Sequence, residues 1–548
     1  MKYFLSFYLF IGLMMLFGCS GSGSGVNTGP RNTTAVETCY DVTITRAGAS
    51  QTQNICTTRE NGGINKLGVS RFVKFTLNAP STVNILVTRT SGLDPADPDI
   101  VLFRAGESLF IEEGAVANRE AMNERLTAGN YIAVITEYIY ANQAKPQKLI
   151  SPAIPKEQSA TIKFTTQPST CSTASNSTVS GEVVFERVKH KGSALDFNNI
   201  QPVAIQEAVV EVICDGGVFS SSVTDSAGAY SLSFPNNQAS FVRVEASMQN
   251  GAAWDIRVVD NTNNDALYVM DSAAFTQSSD LIDLNLTAQS GWGGTGYIGA
   301  RVAAPFAILD SVRKAKDKVL LVTAINLPPL QINWSPNNST SPTSVGTSFY
   351  ENSVITLLGA ENSDTDEYDE HVIIHEWGHY FEDLLSRSDS AGGNHTTGDI
   401  LDFRVAFSEG FGNAFSAMVT DDPIYNDSSG LLQNAGFTIN MENNNCLNAG
   451  WYSECSVQSI LYDIYDAADD GTDTLELGFT PFYNVFIGAQ KNTQALTSIF
   501  SFIKPLKDQN SSSINVIDAM LGAQFIDPII DIYGAGQITS NPGDTDQL

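Results

Sequence analysis

The hydrophobic pattern of this 548-residue chain changes its period near residue 291. Before that point, short runs such as RFVKFTLNAP and AGNYIAVITEY alternate apolar and polar residues between Pro, Gly and Asn turn signals, which predicts strands. After it, GARVAAPFAILDSVRKAK has the apolar spacing of a helix. Because the chain is too long for one hydrophobic core, we predict all-β domains followed by a mixed domain.

Two all-β segments precede the change. In residues 37–170, the runs RFVKFTL, DPDIVLF and LTAGNYIAVI resemble the pre-peptidase C-terminal type of β-domain. In residues 178–288, the turn TDSAGAY, which begins at Thr224, is similar to that of carboxypeptidase-regulatory-like, transthyretin-like domains. Both resemblances imply β-sandwiches that position or target another domain, and His190 in the second segment is interpreted as a solvated side chain.

The N-terminus carries an export signal. The apolar run from Tyr3 to Phe17 is short for a membrane span and typical of a signal peptide, which we place at residues 1–18. LFGC resembles the bacterial lipobox, which implies lipidation of Cys19 and a Ser/Gly tether over residues 19–36. Ser20 is similar to the residue of lipoproteins sorted to the outer membrane. We predict the bacterial cell envelope or the extracellular space, with a plain signal peptide as the alternative.

Cysteine usage agrees with export. Six cysteines remain besides Cys19, an even number suited to an oxidising compartment. None has C-x-x-C spacing, which argues against a zinc cluster of cysteines. Their distribution suggests three local disulfides: Cys39 with Cys56, Cys171 with Cys214, and Cys446 with Cys455.

Charge limits the class of partner. The chain has 60 acidic and 30 basic residues, a formal net charge of −30, and 42% hydrophobic residues. A globular chain of this charge repels phosphate, so a nucleic-acid partner is not expected. A protein or peptide substrate, and a membrane contact through the lipid anchor, are the predicted partners.

The segment HEWGHYFEDLL carries the strongest chemical signal. His375 and His379 are four residues apart, so on a helix their imidazoles share one face and can chelate one ion. In the His-Glu-x-x-His pattern, Glu376 stands where a general base is needed. The alternative is a charged surface helix with two accidental histidines.

The order of a helix, strands and then an HExxH helix resembles the N-terminal lobe of zincin metallopeptidases. In that family the strand before the metal helix, here Ser353–Ala360, offers its edge to an extended substrate. Metzincins are excluded, because Glu382 and Leu385 stand where that class has glycine and histidine. His371 is too far along the helix from His379 to share an ion with it.

A glutamate downstream is the predicted third ligand. In AFSEGFGNAFSAMV, apolar residues three and four apart mark the buried side of a second helix, where Glu409 is costly unless it is paired or binds a metal. HExxH followed by this glutamate resembles the gluzincins, and SEGF looks like the EG(F/W) segment of secreted bacterial members. His395 is the alternative ligand. Asn413 replaces the aspartate that supports a ligand histidine in thermolysin-like enzymes.

The predicted chemistry follows from this ligand set. Two imidazoles and one carboxylate leave an open position on Zn²⁺ for water, and Glu376 accepts the proton of that water and passes it to the leaving amine. His395, or a tyrosine hydroxyl with Tyr462 as the leading choice, is predicted to stabilise the oxyanion. Packing within a helix is the alternative role for Tyr462.

Calcium is a further candidate ligand at two acidic stretches. Asp94, Asp97 and Asp99 lie in one loop, where two prolines favour a solvated turn instead. The run DAADDGTD, residues 466–473, lacks EF-hand spacing.

The sequence as a whole predicts a multidomain chain with two β-sandwich accessory domains followed by an α+β zincin-like metallopeptidase domain at residues 291–548. The predicted activity is exported, zinc-dependent endopeptidase cleavage. The alternatives are a surface adhesin or binding lipoprotein with an inactive zincin domain, and a zinc hydrolase acting on another bond.

Overall fold

A computed structural model describes residues 36–46, 49–59, 70–104, 107–112, 117–137, 169–393, 395–466 and 474–537. The predicted signal peptide, the tether, Cys19 and all but the first residue of the acidic run 466–473 lie outside these residues. The strands are β1 (Val36–Arg46), β2 (Ala49–Arg59), β3 (Ser70–Leu77), β4 (Ser81–Ser91), β5 (Pro98–Arg104), β6 (Glu107–Glu112), β7 (Arg119–Leu126), β8 (Gly129–Glu137), β9 (Asn176–Lys191), β10 (Ala194–Ala204), β11 (Ala208–Cys214), β12 (Gly217–Val223), β13 (Ala229–Pro235), β14 (Ser240–Gln249), β15 (Asp255–Asp260), β16 (Ala266–Leu267), β17 (Val269–Asp271), β18 (Leu286–Ala288), β19 (Leu330–Trp334), β20 (Phe349–Glu351), β21 (Val354–Leu357), β22 (Gly359–Ala360), β23 (Asp364–Thr365), β24 (Ile424–Ser429) and β25 (Ala435–Asn440). The α-helices are α1 (Ala303–Leu320), α2 (Glu370–Leu384), α3 (Phe403–Thr420), α4 (Glu454–Tyr465), α5 (Phe479–Val485), α6 (Ile499–Gln509) and α7 (Ile514–Ala523). Short 3-10 helices lie at Asp366–Tyr368, Leu431–Gln433 and Ser511–Ser513, and a π-helical turn lies at Phe486–Gln490.

The first β-segment is a sandwich of two four-stranded sheets, ordered β2-β1-β4-β7 and β3-β8-β5-β6. Alternate residues of β4 are buried, as the period of two requires: Val83, Ile85 and Val87. They pack with Val73 and Phe75 of β3 into one core that belongs to both sheets. This agrees with the strands predicted from alternation.

The second β-segment and the mixed segment share a sheet. Strands β9, β10 and β13 form one sheet, while a second runs in the order β12-β11-β14-β15-β19-β21-β20. In that sheet β15 pairs in parallel with β19, and β19 with β21. The predicted border at residues 288–291 therefore falls within one continuous sheet and one hydrophobic core.

Helices α1 to α4 pack together beside this sheet. Helix α1 contacts β14 and β15 on one side and α2 on the other, and α3 lies between α2 and α4. Small residues such as Ala304 and Ala307 in α1 are fully buried, which permits close packing. No helix in the described part of the chain is both long and apolar enough to cross a bilayer.

All three predicted disulfides are confirmed: Cys39–Cys56, Cys171–Cys214 and Cys446–Cys455. The first joins directly paired positions of β1 and β2. The third ties the segment before α4 to its first turn.

Two local predictions are wrong. Residues 353–360 were predicted to be an edge strand, but β21 is paired on both sides, with β19 and with β20. The strand at the end of the sheet is β20, which the chain reaches just before β21. His190 was interpreted as solvated, but its side chain is 16% exposed and its Nε2 lies 2.9 Å from Oδ1 of Asp369, because β9 packs beside the start of α2.

Candidate metal centre

Helix α2 carries the two histidines of HEWGH. Its apolar residues, among them Ile373, Ile374 and Trp377, are fully buried and fix the helix against the core. His375 and His379 consequently point the same way, and their Nε2 atoms are 3.0 Å apart. Two imidazole nitrogens at this distance can bind one cation when both rings carry the Nε2 lone pair.

Glu409 comes to the same point from α3. Its Oε2 lies 3.2 Å from Nε2 of His375 and 3.4 Å from Nε2 of His379. Burial alone would raise the pKa of Glu409, but the neighbouring His395 and His379 lower this pKa well below its ordinary value. The carboxylate is thus ionised, which metal binding requires.

The three donor atoms fit a tetrahedral ion. Ligands bound to Zn²⁺ at about 2.0–2.2 Å stand roughly 3.3–3.6 Å from one another. The separations found here, 3.0, 3.2 and 3.4 Å, are close to that range. The group His375, His379 and Glu409 could therefore hold zinc, as the sequence predicts; its role as a ligand set stays a prediction.

The far side of each imidazole is held in place. Nδ1 of His375 lies 2.8 Å from Oδ1 of Asn413. Nδ1 of His379 lies 3.1 Å from Oγ of Ser408, whose hydroxyl donates to Glu382 at 2.6 Å. When these oxygens accept from Nδ1–H, both rings direct the lone pair of Nε2 to the point that a bound ion would occupy beside Glu409.

Two glycines of the EGFGN segment allow α3 to approach its neighbours. A Cβ on Gly412 would lie 2.9 Å from the ring of His375, and a Cβ on Gly410 would lie 2.6 Å from Val457 of α4. Larger residues would push α3 away from both helices. The Gly-x-Gly spacing is a sequence signal of this close packing, which apolar periodicity does not report.

Glu376 is buried in α2 without full hydrogen bonding. The side chain is 1% exposed, and its Oε1 has no hydrogen-bond partner among the described residues. Burial raises the pKa of Glu376, and the backbone N–H of Tyr350 in β20 donates to its carboxylate. The base candidate is thus tied to the strand at the end of the sheet.

His395 lies beside the three candidate ligands, His375, His379 and Glu409. Its Nε2 lies 3.4 Å from Oε2 of Glu409 and 3.5 Å from Oε2 of Glu454. Glu454 is buried at the start of α4, and its Oε1 accepts from the amide of Asn413 at 2.7 Å. The sequence analysis missed Glu454, because an acidic residue in a first helical turn has an ordinary explanation.

Tyr462, the other predicted oxyanion donor, is placed among different residues. Its ring contacts Tyr465, and burial followed by the charges of Asp466 and Glu442 raises its pKa. Its described contacts do not include the histidines or Glu409. His371 is likewise apart, with its Nε2 at 3.2 Å from the carbonyl oxygen of Asp422.

The loop with Asp94, Asp97 and Asp99 does not gather its carboxylates. Asp94 accepts from the amide of Asn118 at 2.9 Å and lies 3.6 Å from Arg89. Within the described ranges, these aspartates do not bring three donor atoms within reach of one ion.

Comparison with known proteins identifies one region. Residues 323–518, which include α2, α3 and α4, match the family model of the Mycolysin C-terminal domain. The match supports a secreted protein associated with a metallopeptidase, and with it the use of a metal. No curated protein matches the chain.

Among solved structures, the chain is similar to one described as "Ca2+-stabilized adhesin helps an Antarctic bacterium reach out and bind ice". The two are 9% identical over 46% of this chain and 69% of that one, with a TM-score of 0.11. A likeness of this size carries no argument about fold or function.

Proposed function

We propose that this protein is an exported zinc-dependent endopeptidase. The observation that supports it most is the convergence of Nε2 of His375, Nε2 of His379 and Oε2 of Glu409, with separations of 3.0 to 3.4 Å. The match of residues 323–518 to a domain of the mycolysin family is consistent with this activity.

Zinc bound by these residues would supply a Lewis acid and a water whose pKa is lowered towards about 7. Glu376 would accept a proton from the attacking water, since its buried Oε1 has no hydrogen-bond partner among the described residues. The same carboxyl group then gives the proton to the leaving amine. No covalent bond to the protein forms in this reaction.

The substrate lies along β20 in this proposal. Strand β20 stands at the end of the sheet, and its Tyr350 N–H bonds to Glu376. An extended peptide that adds to this strand would run past the general base. His395 lies beside Glu409 at 3.4 Å, where its ring can donate a hydrogen bond to the developing oxyanion.

The experiment compares metal content and casein hydrolysis of the purified full-length protein with those of Glu376→Gln. We expect one zinc per chain in both proteins and a loss of roughly 10²–10⁴-fold in kcat for the variant, the usual contribution of a general base. Asp508→Asn, which removes an exposed carboxylate on α6, serves as control and should hydrolyse casein normally.

Three results would decide against the proposal. If the purified protein contains no zinc, the histidines of HEWGH are not metal ligands and α2 is an ordinary helix. Hydrolysis that resists chelators would point to another chemistry. Full activity of Glu376→Gln would remove this residue as the base.

The proposed location is the bacterial cell envelope, with a lipid on Cys19 as the outer-membrane anchor, or the extracellular space. Replacing it in Cys19→Ser should release the protein from membranes. Equal membrane fractions for the two proteins would favour a plain signal peptide.

A further inference from the structure

A second group of carboxylates lies buried where α2 begins, apart from the zinc ligands. Asp364 is the first residue of β23, Asp366 is the first residue of the 3-10 helix before α2, and Asp427 lies in β24. Their exposed fractions are 3%, 2% and 3%. Each offers one oxygen to a point at which all three oxygens lie within 4.8 Å of one another.

The protein side chains around this group do not balance its charge. Within the described ranges, no lysine or arginine comes within ion-pair distance of Asp364, Asp366 or Asp427. Arg301 is paired with Glu367, the residue after Asp366, at 3.0 Å. His190 pairs instead with Asp369, the last residue before α2. Three buried carboxylates thus face each other without a protein cation.

The three aspartates also lack some of their hydrogen-bond donors. Oδ1 of Asp364 and Oδ1 of Asp427 are buried and have no hydrogen-bond partner among the described residues. By contrast, Asp366 accepts from Oγ of Ser348, and Asp369 accepts from N–H and Oγ of Ser428. Buried carboxylate oxygens that lack donors are costly unless a cation binds them.

Protonation of these aspartates is the alternative to binding a cation. Burial, together with the charge of Asp369, raises the pKa of Asp366 to about 8. Burial and the charge of Asp366 raise the pKa of Asp364 and of Asp427 well above the ordinary value. Without a cation, the group would have to hold protons at neutral pH.

We propose that Asp364, Asp366 and Asp427 bind one calcium ion. Calcium takes six to eight oxygen ligands in variable geometry, so three carboxylates can be joined by backbone carbonyls or water. Magnesium usually keeps several of its waters, which a group only 2–3% exposed does not favour. The ion would bind outside the zinc group and does not depend on the proposed peptidase activity.

The position of the ion gives it a structural role. It joins β23 and β24 to the segment that leads into α2, the helix of His375 and His379. Asp369 and His190 extend the same contact to β9. Calcium would therefore stabilise the start of the metal-bearing helix against the sheets around it.

The experiment measures calcium uptake by the full-length protein after metal removal and return of one equivalent of zinc. Equilibrium dialysis against calcium, with magnesium as a competitor, should show one calcium per chain at millimolar concentration or below, the range of extracellular calcium modules of about 10⁻⁴–10⁻³ M. In Asp427→Asn and Asp364→Asn, we expect calcium affinity to fall by at least ~10-fold, since ligand charge sets affinity.

Asp389→Asn is the matched control. Asp389 is also buried, at 2% exposure, but it has its own cation in Arg387 at 2.5 Å. Its loss should lower stability without changing calcium affinity. If the two cluster variants do not fold, hydrogen exchange of the wild-type protein replaces them, and calcium should slow exchange in residues 359–369 and 424–440.

Four results would overturn the proposal. The first is no calcium uptake by the wild-type protein at about 10 mM, well above the affinity of such modules. The second is unchanged affinity in folded Asp427→Asn and Asp364→Asn. The third is calcium-dependent protection confined to other parts of the chain. The fourth is a rise of the unfolding temperature on acidification with no effect of calcium, which would mean that protons hold the group together.

Discussion

Oδ1 of Asn413 lies 2.8 Å from Nδ1 of His375, and the orientation of this amide is determined by its other contacts. Its Nδ2 donates to Glu454 at 2.7 Å and to Gln458 at 2.8 Å, so the oxygen must face the imidazole. An oxygen there can only accept a hydrogen bond, so Nδ1 must carry the hydrogen, which leaves the lone pair of Nε2 for a metal. An uncharged amide thus orients His375, a role that a carboxylate has in the thermolysin-like enzymes to which the sequence was compared.

The first prediction concerns this amide. Asn413→Ala should lower zinc affinity by about 10–100-fold, the usual effect of losing a residue that orients a ligand. Competition with a chromogenic chelator measures it. Ser416→Ala, one turn further along α3, removes a hydroxyl that donates only to the backbone oxygen of Asn413 and should leave zinc affinity unchanged. Equal affinities of Asn413→Ala and wild type would show that the tautomer of His375 is held by other means.

The second prediction separates the two candidates for the third ligand. Glu409→Ala should lower zinc affinity by more than the ~10–100-fold expected for a residue that only supports a ligand, because this substitution removes a ligand atom. His395→Ala should retain zinc and lose roughly 10²–10³-fold in kcat, the effect of removing one oxyanion donor. Zinc content by elemental analysis, with kcat on casein, gives both values. Loss of zinc in His395→Ala with full zinc in Glu409→Ala would reverse the two roles.

Local pattern was enough to predict the elements that carry this group. The four-residue spacing of His375 and His379 requires one helical face, and the apolar spacing around Glu409 requires a second buried helix. That these helices cross with the three side chains facing each other is a tertiary fact, which the sequence predicted only through resemblance to the gluzincins.

Contacts between distant segments were beyond local pattern. The pairing of His190 with Asp369 needs β9 beside the start of α2, and no periodicity in either segment reports it. The shared sheet has the same origin, since the parallel pairing of β15 with β19 joins segments on either side of the predicted border. The mistaken edge at residues 353–360 followed because strand order in a sheet is independent of chain order.

The third prediction tests the close crossing of α2 and α3. Alanine is normally the better helix former by about 1 kcal/mol, but a Cβ at Gly412 would lie 2.9 Å from the ring of His375. Gly412→Ala should therefore lower both thermal stability and zinc affinity. In Gly522→Ala on α7, the new Cβ meets no atom within 4 Å, so this control should be unchanged or slightly more stable. Stability gained at both positions would mean that His375 has room to move.

The fourth prediction concerns pH and a buried carboxyl in the shared sheet. Glu211 in β11 is 7% exposed, and burial, with a smaller effect of Glu245, raises its pKa from 4.5 to about 7. Arg243 lies opposite Glu211 in the strand register, but it gives two hydrogen bonds of 2.8 Å to Asp271, so it offsets only part of the shift.

The sign of the pH effect follows from that shift. Between pH 4.5 and about 7 the folded state holds the proton of Glu211 more tightly than the unfolded state, so its contribution to stability is full below that window and is lost as the pH rises through it. Glu211→Gln removes this titration and should make the protein more stable than wild type at pH 8, by roughly 1–2 kcal/mol after allowance for solvent screening. At pH 4.5 the two should be nearly equal. Urea unfolding across this range, with exposed Glu182→Gln as control, measures the difference, and parallel curves for wild type and Glu211→Gln would show that Glu211 stays ionised in the folded protein.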